Sequence, residues 1–191
     1  MRLPEDDQQV IADQLAQFLK ELHGIPVGGF DVPMADALMK REDWINVYQR
    51  IQERVFPLLQ FHQREWAREH FEPHLADPGN FEYELRMVDT DLAPYHILFD
   101  RQRARVNGII DFGTAGLGDP ALDFGVILTC YGESFLNRFY RIYPEAEDSL
   151  KRARFYAGAI ELRWVLQGIE RADPLWFAVH IGGARDVRYD S

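Results

Sequence analysis

The chain has 191 residues, 47% of them hydrophobic and 13% aromatic. It is long enough to bury a core and too apolar for a disordered chain, so one domain over 1–191 is expected. With 21 Lys and Arg against 31 Asp and Glu, the net charge is −10, the wrong sign for nucleic acid, whose phosphates are met by basic side chains. Acidity of this size suits a polycationic small molecule, although solubility alone is its commoner meaning. Cys130 is the single cysteine, and neither an apolar leader nor a membrane-length apolar run occurs. The expectation is a cytoplasmic protein with no internal disulfide and no membrane contact.

Val10, Ile11, Leu15, Phe18, Leu19 and Leu22 recur at three- and four-residue spacing. That stripe predicts a helix capped by Asp6 or Asp7, running to about His23 and stopped by Gly24 and Pro26. The Gly28-Gly29 pair that follows lacks the pattern of a phosphate loop. Met34 to Ala76 is helical in pattern, with Trp44, Ile45, Tyr48, Ile51, Val55, Leu58 and Leu59 as core and a break at Pro57. His70 and His74 sit one helical turn apart, but Pro73 lies between them, so solvated histidines at a helix end are expected rather than metal ligands. Asp77-Pro78-Gly79-Asn80 reads as a turn.

Met87 to Asp123 is the stretch on which function turns. An acid-rich loop, Asp89-Thr90-Asp91-Leu92-Ala93-Pro94, leads into the apolar run Ile97-Leu98-Phe99, a polar turn from Asp100 to Arg105, and a second run from Val106 to Ile110. Two β-prone runs joined by a polar turn predict a hairpin. In an antiparallel pair the start of the first strand lies beside the end of the second. His96 and Asp111 are therefore expected to be neighbours, with Asp91 on the same loop. Two carboxylates and an imidazole suit phosphoryl transfer, which needs a carboxylate to take a hydroxyl proton and ligands for Mg²⁺. Asp91 is the candidate proton acceptor, and Asp111 and His96 are the candidate ligands for metal and nucleotide phosphate. The bland alternatives are a loop-capping Asp91 and a packed His96. Imidazole is also softer than the oxygen ligands Mg²⁺ prefers.

Gly113-Thr114-Ala115-Gly116-Leu117-Gly118 has the reverse of the dinucleotide spacing and is read as a flexible loop near phosphates. A largely apolar helix is expected over Pro120 to Tyr131, with Asp123 inside it as a buried acid hydrogen-bonded to the catalytic loop. Ser134 to Tyr143, Glu145 to Glu170 and Pro174 to Arg185 read as amphipathic helices. Glu161 and Trp164, one turn apart, are candidates to face a cationic substrate, against the commoner reading of a solvated face.

The stretch from Asp89 to Asp123 resembles the catalytic core of the aminoglycoside phosphotransferase and choline kinase family. That core reads roughly H-G-D-x-x-x-x-N, a hairpin, I-D-F/W-G and G-D-P-x-x-D. The resemblance extends more weakly from about Val10 to Ala178 and is nearest to aminoglycoside 2″-phosphotransferase-like sequences; Phe18 to His23 match the end of the first helix of the large lobe. It implies that Asp91 is the catalytic aspartate, that Asp111 binds the metal, and that Asp119 and Asp123 brace the site. Asp89 stands where the family usually has a loop-bracing His, and His96 where it usually has Asn, although some branches carry His there.

The implied fold is mainly α with a small β-hairpin, an α+β arrangement matching the C-terminal lobe of a protein-kinase-like fold. The β-rich N-terminal lobe, with its phosphate-pairing Lys, has no counterpart, since Lys20, Lys40 and Lys151 all fall in helical patterns. The resemblance implies Mg²⁺ and ATP, or another nucleoside triphosphate, and a small hydroxyl-bearing substrate such as an aminoglycoside. Lacking the other lobe, the chain is expected to be weakly active, and to self-associate or pair with a separate lobe through an exposed apolar face. The competing readings are a non-catalytic binding module that retains the acidic cleft and, more remotely, a metal-dependent hydrolase.

Overall fold

The computed structural model describes residues 4–28, 31–35 and 40–185. Gly29 and residues 36–39, which fall within segments treated above, lie outside the described residues. Contacts divide the chain into two compact units, Met1–Ala37 with Tyr83–Tyr156, and Leu38–Glu82 with Ala157–Ser191.

The first unit is built on helix α1, Glu5–His23, which buries Ile11, Ala12, Leu15, Ala16, Leu19 and His23 along one face. Acids fill its first turn and Lys20 and His23 its last, the distribution the helix dipole favours. Neither Asp6 nor Asp7 caps it. Pro4 occupies the cap position with φ −52° and the side chains make no capping bond, so the fixed ring torsion of proline starts the helix earlier than the acids suggested.

Two small antiparallel sheets follow. Strand β2, Ile97–Asp100, pairs with β3, Arg105–Ile109, Ile97 opposite Ile109. This is the expected hairpin. Strand β1, Arg86–Val88, pairs with β4, Gly116–Gly118, Val88 opposite Gly116. That second sheet corrects the reading of Gly113–Gly118 as a flexible loop. The glycines at 116 and 118 are there for close approach: a Cβ on Gly116 would sit 2.5 Å from the Pro33 carbonyl oxygen, and one on Gly118 would sit 2.7 Å from Val88 Cγ2. Met34, expected to open a helix, instead forms an isolated parallel bridge with Leu117.

Helix α4, Ala121–Tyr131, starts after Pro120 and buries Ala121, Asp123, Phe124, Gly125 and Ile127. The expected helix from Ser134 to Tyr143 is broken up. It becomes a short helix α5, Glu133–Leu136, and a 3₁₀ turn over Asn137–Arg141. A further 3₁₀ turn, Pro144–Ser149, precedes α6, Leu150–Glu170, so the last long helix begins later than expected from Glu145. Pro144 opens that turn, and 3₁₀ geometry serves such short connections well.

At the start of α6, Arg152 holds the fully buried Asp119 through a two-pronged pair, Nε to Oδ2 at 2.8 Å and Nη2 to Oδ1 at 3.1 Å. The Tyr156 hydroxyl donates to Asp119 Oδ2 at 3.0 Å and the Ala121 N–H to Oδ1 at 3.0 Å. Every Asp119 oxygen is thereby satisfied, the condition under which a buried carboxylate is tolerated.

In the second unit, α2, Arg41–Arg54, lies beside α3, Phe61–Ala76. Trp44, Tyr48, Ile51, Val55 and Leu59 of the predicted stripe are buried, whereas Leu58 is exposed. The Tyr48 and Phe71 rings stack at 4.8 Å, and Pro57 sits in a 3₁₀ turn, Phe56–Leu58, between the two helices. Pro73 is accommodated inside α3. His70 and His74 are not the solvated pair expected at the helix end. His74 is buried, with its ring edge-on to Phe81 at 5.3 Å, and His70 stacks on Trp66 at 4.7 Å. Aromatic neighbours four and seven residues away on the chain engage the two rings, which solvation by the helix end alone does not anticipate. Helix α7, Pro174–Arg185, closes the unit. No helix among the described residues is long and apolar enough to cross a membrane.

Replacing Arg152 with Met should leave Asp119 a buried charge without its cation and cost about 3–5 kcal/mol in urea-induced unfolding. Asp119→Asn in the same chain should recover part of that loss.

Candidate active site

The acid-rich loop leaves β1 at Val88, and its conformation is set by one carboxylate outside it. Asp123, on the first turn of α4 and fully buried, accepts the Asp89 N–H on both oxygens at 3.2 Å and the Thr90 N–H on Oδ1 at 2.6 Å. His23, at the end of α1, approaches Asp123 Oδ2 through Nε2 at 2.9 Å. A carboxylate only accepts, so this ring nitrogen donates, and Nδ1 lies 3.1 Å from the Tyr143 hydroxyl. Thr90 adopts φ 67°, a left-handed conformation costly for a β-branched residue. The Thr90 hydroxyl donates to the Thr114 carbonyl at 3.3 Å, and the Thr114 hydroxyl donates to the Asp89 carbonyl at 3.0 Å. These reciprocal bonds hold the strained turn against the segment after β3.

The hairpin brings the expected groups together. The Ile110 N–H donates to the His96 carbonyl at 3.0 Å, tying the residue before β2 to the end of β3. His96 Nδ1 donates to the Asp91 carbonyl at 2.8 Å and lies 3.5 Å from Asp91 Oδ2. Its Nε2 lies 3.5 Å from Asp111 Oδ2. Asp91 and Asp111 thus flank one imidazole. Asp111 adopts φ 65°, a conformation Asp tolerates better than most residues, and its side chain is 63% exposed against 36% for Asp91. The hydrogen bond to the Asp91 carbonyl, with the nearby carboxylates, raises the His96 pKa. Burial raises that of Asp91, opposed by His96.

The other predicted residues fall into two groups. Asp89, Asp119 and Asp123 are all buried in the first unit. Asp123 holds the loop backbone and Asp119 is held by Arg152, while the Asp89 carboxyl makes no hydrogen bond. Glu161 and Trp164 belong to the second unit, in a cluster of their own. His180 Nδ1 lies 3.0 Å from Glu161 Oε2, and the His180 ring lies 4.6 Å from each of the Trp164 and Trp176 rings.

Sequence reasoning passed over His23, Thr90, Thr114 and Arg152. His23 had a signal, since it ends the Phe18–His23 string. Thr90 and Thr114 had none, because their bonds join segments more than twenty residues apart.

Among the described residues no group of three or more His, Cys, Asp or Glu side chains forms a metal cage. Mg²⁺ is commonly held by one or two carboxylates together with phosphates and water. The exposed Asp111 carboxylate has the hard oxygen donors that this coordination requires.

The acid-rich loop, the β2–β3 hairpin and the predominance of helix are those of the large lobe of a kinase-like fold. The model of the phosphotransferase enzyme family matches residues 1–156, and the chain belongs to that family. It is 25% identical to viomycin phosphotransferase of Streptomyces vinaceus over 92% of this chain and 62% of that protein. Among solved structures, the GDP complex of wild-type aminoglycoside 2′-phosphotransferase-IIIa superposes with a TM-score of 0.84 at 25% identity, covering 95% of this chain and 62% of that one. The GDP and kanamycin complex of APH(2″)-IIIa gives 0.81 at 26% identity, covering 95% and 63%. The chain therefore spans somewhat under two thirds of the length of these relatives.

Asp123→Ala should release the Asp89 and Thr90 amides together with His23, and accelerate hydrogen exchange at those two amides. Stability should fall by about 3 kcal/mol or more, the usual result when a buried polar group loses its partner. Unchanged exchange at Thr90 would mean that the loop holds itself.

Proposed function

We propose that this chain is the catalytic lobe of a phosphotransferase that moves the terminal phosphoryl group of ATP, or another nucleoside triphosphate, to a hydroxyl of a small cationic acceptor of the aminoglycoside type. The observation that carries this reading is the placement of the Asp91 and Asp111 carboxylates, each 3.5 Å from a nitrogen of the same imidazole. The proposed step begins with Asp91. Its carboxylate orients the acceptor hydroxyl and takes its proton while the oxygen forms a bond to the γ-phosphorus. The bond between that phosphorus and the β,γ-bridging oxygen breaks, and its electron pair leaves on the nucleoside diphosphate. Partial burial strengthens Asp91 as a base by raising its pKa.

Asp111 would hold Mg²⁺, with His96 beside it, and the ion when bound neutralises charge on the phosphate oxygens. His96 also orients the Asp91 backbone through its 2.8 Å bond, a role it fills whether or not it touches the metal. Glu161 and Trp164 are proposed to contact the cationic acceptor, a carboxylate and an aromatic face being the groups that recognise an ammonium. Asp89, Asp119 and Asp123 brace the loop. Relatives whose structures hold GDP with kanamycin, or streptomycin with ATP, support both the nucleotide and the cationic substrate class.

The relatives' additional length leads us to propose that this chain alone is slow, and that it associates with itself or with a separate nucleotide-gripping lobe. Exposed Leu98, Ile110 and Phe112, on and just after the hairpin, offer an apolar face for that contact.

The test is phosphoryl transfer from Mg·ATP or Mg·GTP to an aminoglycoside panel, by the chain alone and fused to the N-terminal lobe of a relative. The fused protein should turn over, and Asp91→Asn in it should lower kcat by roughly 10²–10⁴ with little effect on nucleotide affinity. Binding of the acceptor without turnover in either form would overturn the catalytic reading in favour of a binding module. Glu161→Gln should raise KM for a cationic acceptor and leave kcat nearly unchanged, since an interaction made equally in ground and transition states moves KM alone.

A further inference from the structure

Asp89 is the one acid of the loop whose carboxyl the fold leaves without a partner. Its residue surface is 1% exposed, and both carboxylate oxygens are buried with no hydrogen bond. Its backbone, by contrast, is fixed at both ends, the N–H on Asp123 and the carbonyl under the Thr114 hydroxyl. The backbone is thus fixed on both sides of a carboxyl that the packing around it keeps from water.

The groups that act on it electrostatically are Asp123 from α4, Asp91 from its own loop, His96 before β2 and Asp111 after β3. Three of the four are carboxylates. His96 is the only cation-forming group among them, and it is already placed beside Asp91 and Asp111. A buried anion with no donor and three acidic neighbours is the costly arrangement, whereas a neutral carboxylic acid in the same place is tolerated.

We propose that the catalytic loop keeps its working conformation only while Asp89 carries a proton, so that ionisation of this one buried carboxyl loosens the loop and, with it, Asp91. The proposal rests on the phosphotransferase reading only in treating Asp91 as the group positioned; the titration of the loop does not depend on it. Burial first, and then the Asp123 and Asp91 carboxylates, push the Asp89 pKa up to about 7, so the change falls in the neutral range. The sign follows from proton counting. The unfolded chain loses this proton near an ordinary ~3.9, and the folded chain keeps it to higher pH, so the folded state binds more protons between the two values. Stability is greatest below the lower value, declines as pH rises, and levels off above the higher one.

The experiment compares the native chain with Asp89→Asn, whose amide has the shape of the protonated acid and no charge to gain. Between pH 5 and 6 one proton changes the folded-to-unfolded ratio by close to tenfold per pH unit, and by progressively less as pH approaches 7, measured by urea unfolding at each pH. That component should vanish in Asp89→Asn. His96, whose raised pKa gives a loss of the same sign as pH rises, remains in both proteins, so the difference between them is the readout. The protection factor of the Thr90 amide, its exchange rate corrected for the intrinsic rise with pH, should fall through the same range in the native chain and stay level in the variant. Parallel pH profiles for the two proteins would overturn the proposal. Should Asp89→Asn fail to fold, carbon-13 NMR of the native Asp89 carboxyl decides instead. A midpoint near neutrality sustains the proposal, and one in the ordinary aspartate range sinks it. Neither measurement uses nucleotide or acceptor, so a negative result here leaves the phosphoryl-transfer test standing, and a failed transfer assay leaves this one standing.

Discussion

The candidate site depends on one buried carboxylate. Asp123 has no solvent to satisfy it and draws its hydrogen bonds from the end of α1 and from the backbone of the acid-rich loop. An unpaired charge at this depth would be prohibitive, so helix α4, helix α1 and the loop must be in register for the first unit to form. The requirement runs in both directions. The loop acquires a fixed conformation at Thr90, where φ 67° would not persist in an isolated peptide, and the carboxylate acquires the donors that permit its burial. Rigidity near Asp91 is in this sense a by-product of solvating Asp123.

A second buried acid, Asp119, is handled differently. It receives a guanidinium, a phenol and a backbone N–H, and its pair with Arg152 fixes the start of α6 against the start of α4. The contrast with Asp89 is instructive. Three acids within this short stretch are buried to a similar degree, yet one has a cation, one has a histidine and two backbone N–H groups, and one has no donor. Identical side chains at similar depth are thus distinguished by their partners alone. The exposed Asp111 and the half-exposed Asp91 complete the series, with enough solvent to stay available for ligands.

Close packing of backbone on backbone shapes the rest of the site. Gly116 and Gly118 let β4 lie against β1 and the segment at Pro33–Ala35, with no space for a side chain at either position. That sheet fixes where the loop begins, because Asp89 is the residue after Val88. The hairpin of β2 and β3 fixes where it ends. Between these anchors the chain has little freedom, and the reciprocal hydroxyl bonds of Thr90 and Thr114 remove most of what remains.

The sequence by itself determined the features whose signals are local. The stripe from Ile11 to Leu19 gave α1, the apolar runs on either side of Asp100–Arg105 gave the hairpin, and antiparallel pairing then placed His96 beside Asp111. The apolar character of Ala121–Ile127 also marked Asp123 as a buried acid in need of partners. What only the tertiary structure decided were the contacts between residues far apart in the chain: His23 with Asp123 across 100 positions, Arg152 with Asp119 across 33, and Gly116 against Pro33. Periodicity reports which face of an element is buried, but not which element covers it. The Ser134–Tyr143 segment was lost for a related reason, since its apolar residues suited a helix while the turns the chain had to make required 3₁₀ pieces. The empty surroundings of the Asp89 carboxyl were the least legible feature of all, because the absence of a hydrogen-bond donor is a property of everything packed around a residue and leaves no mark in the residues beside it.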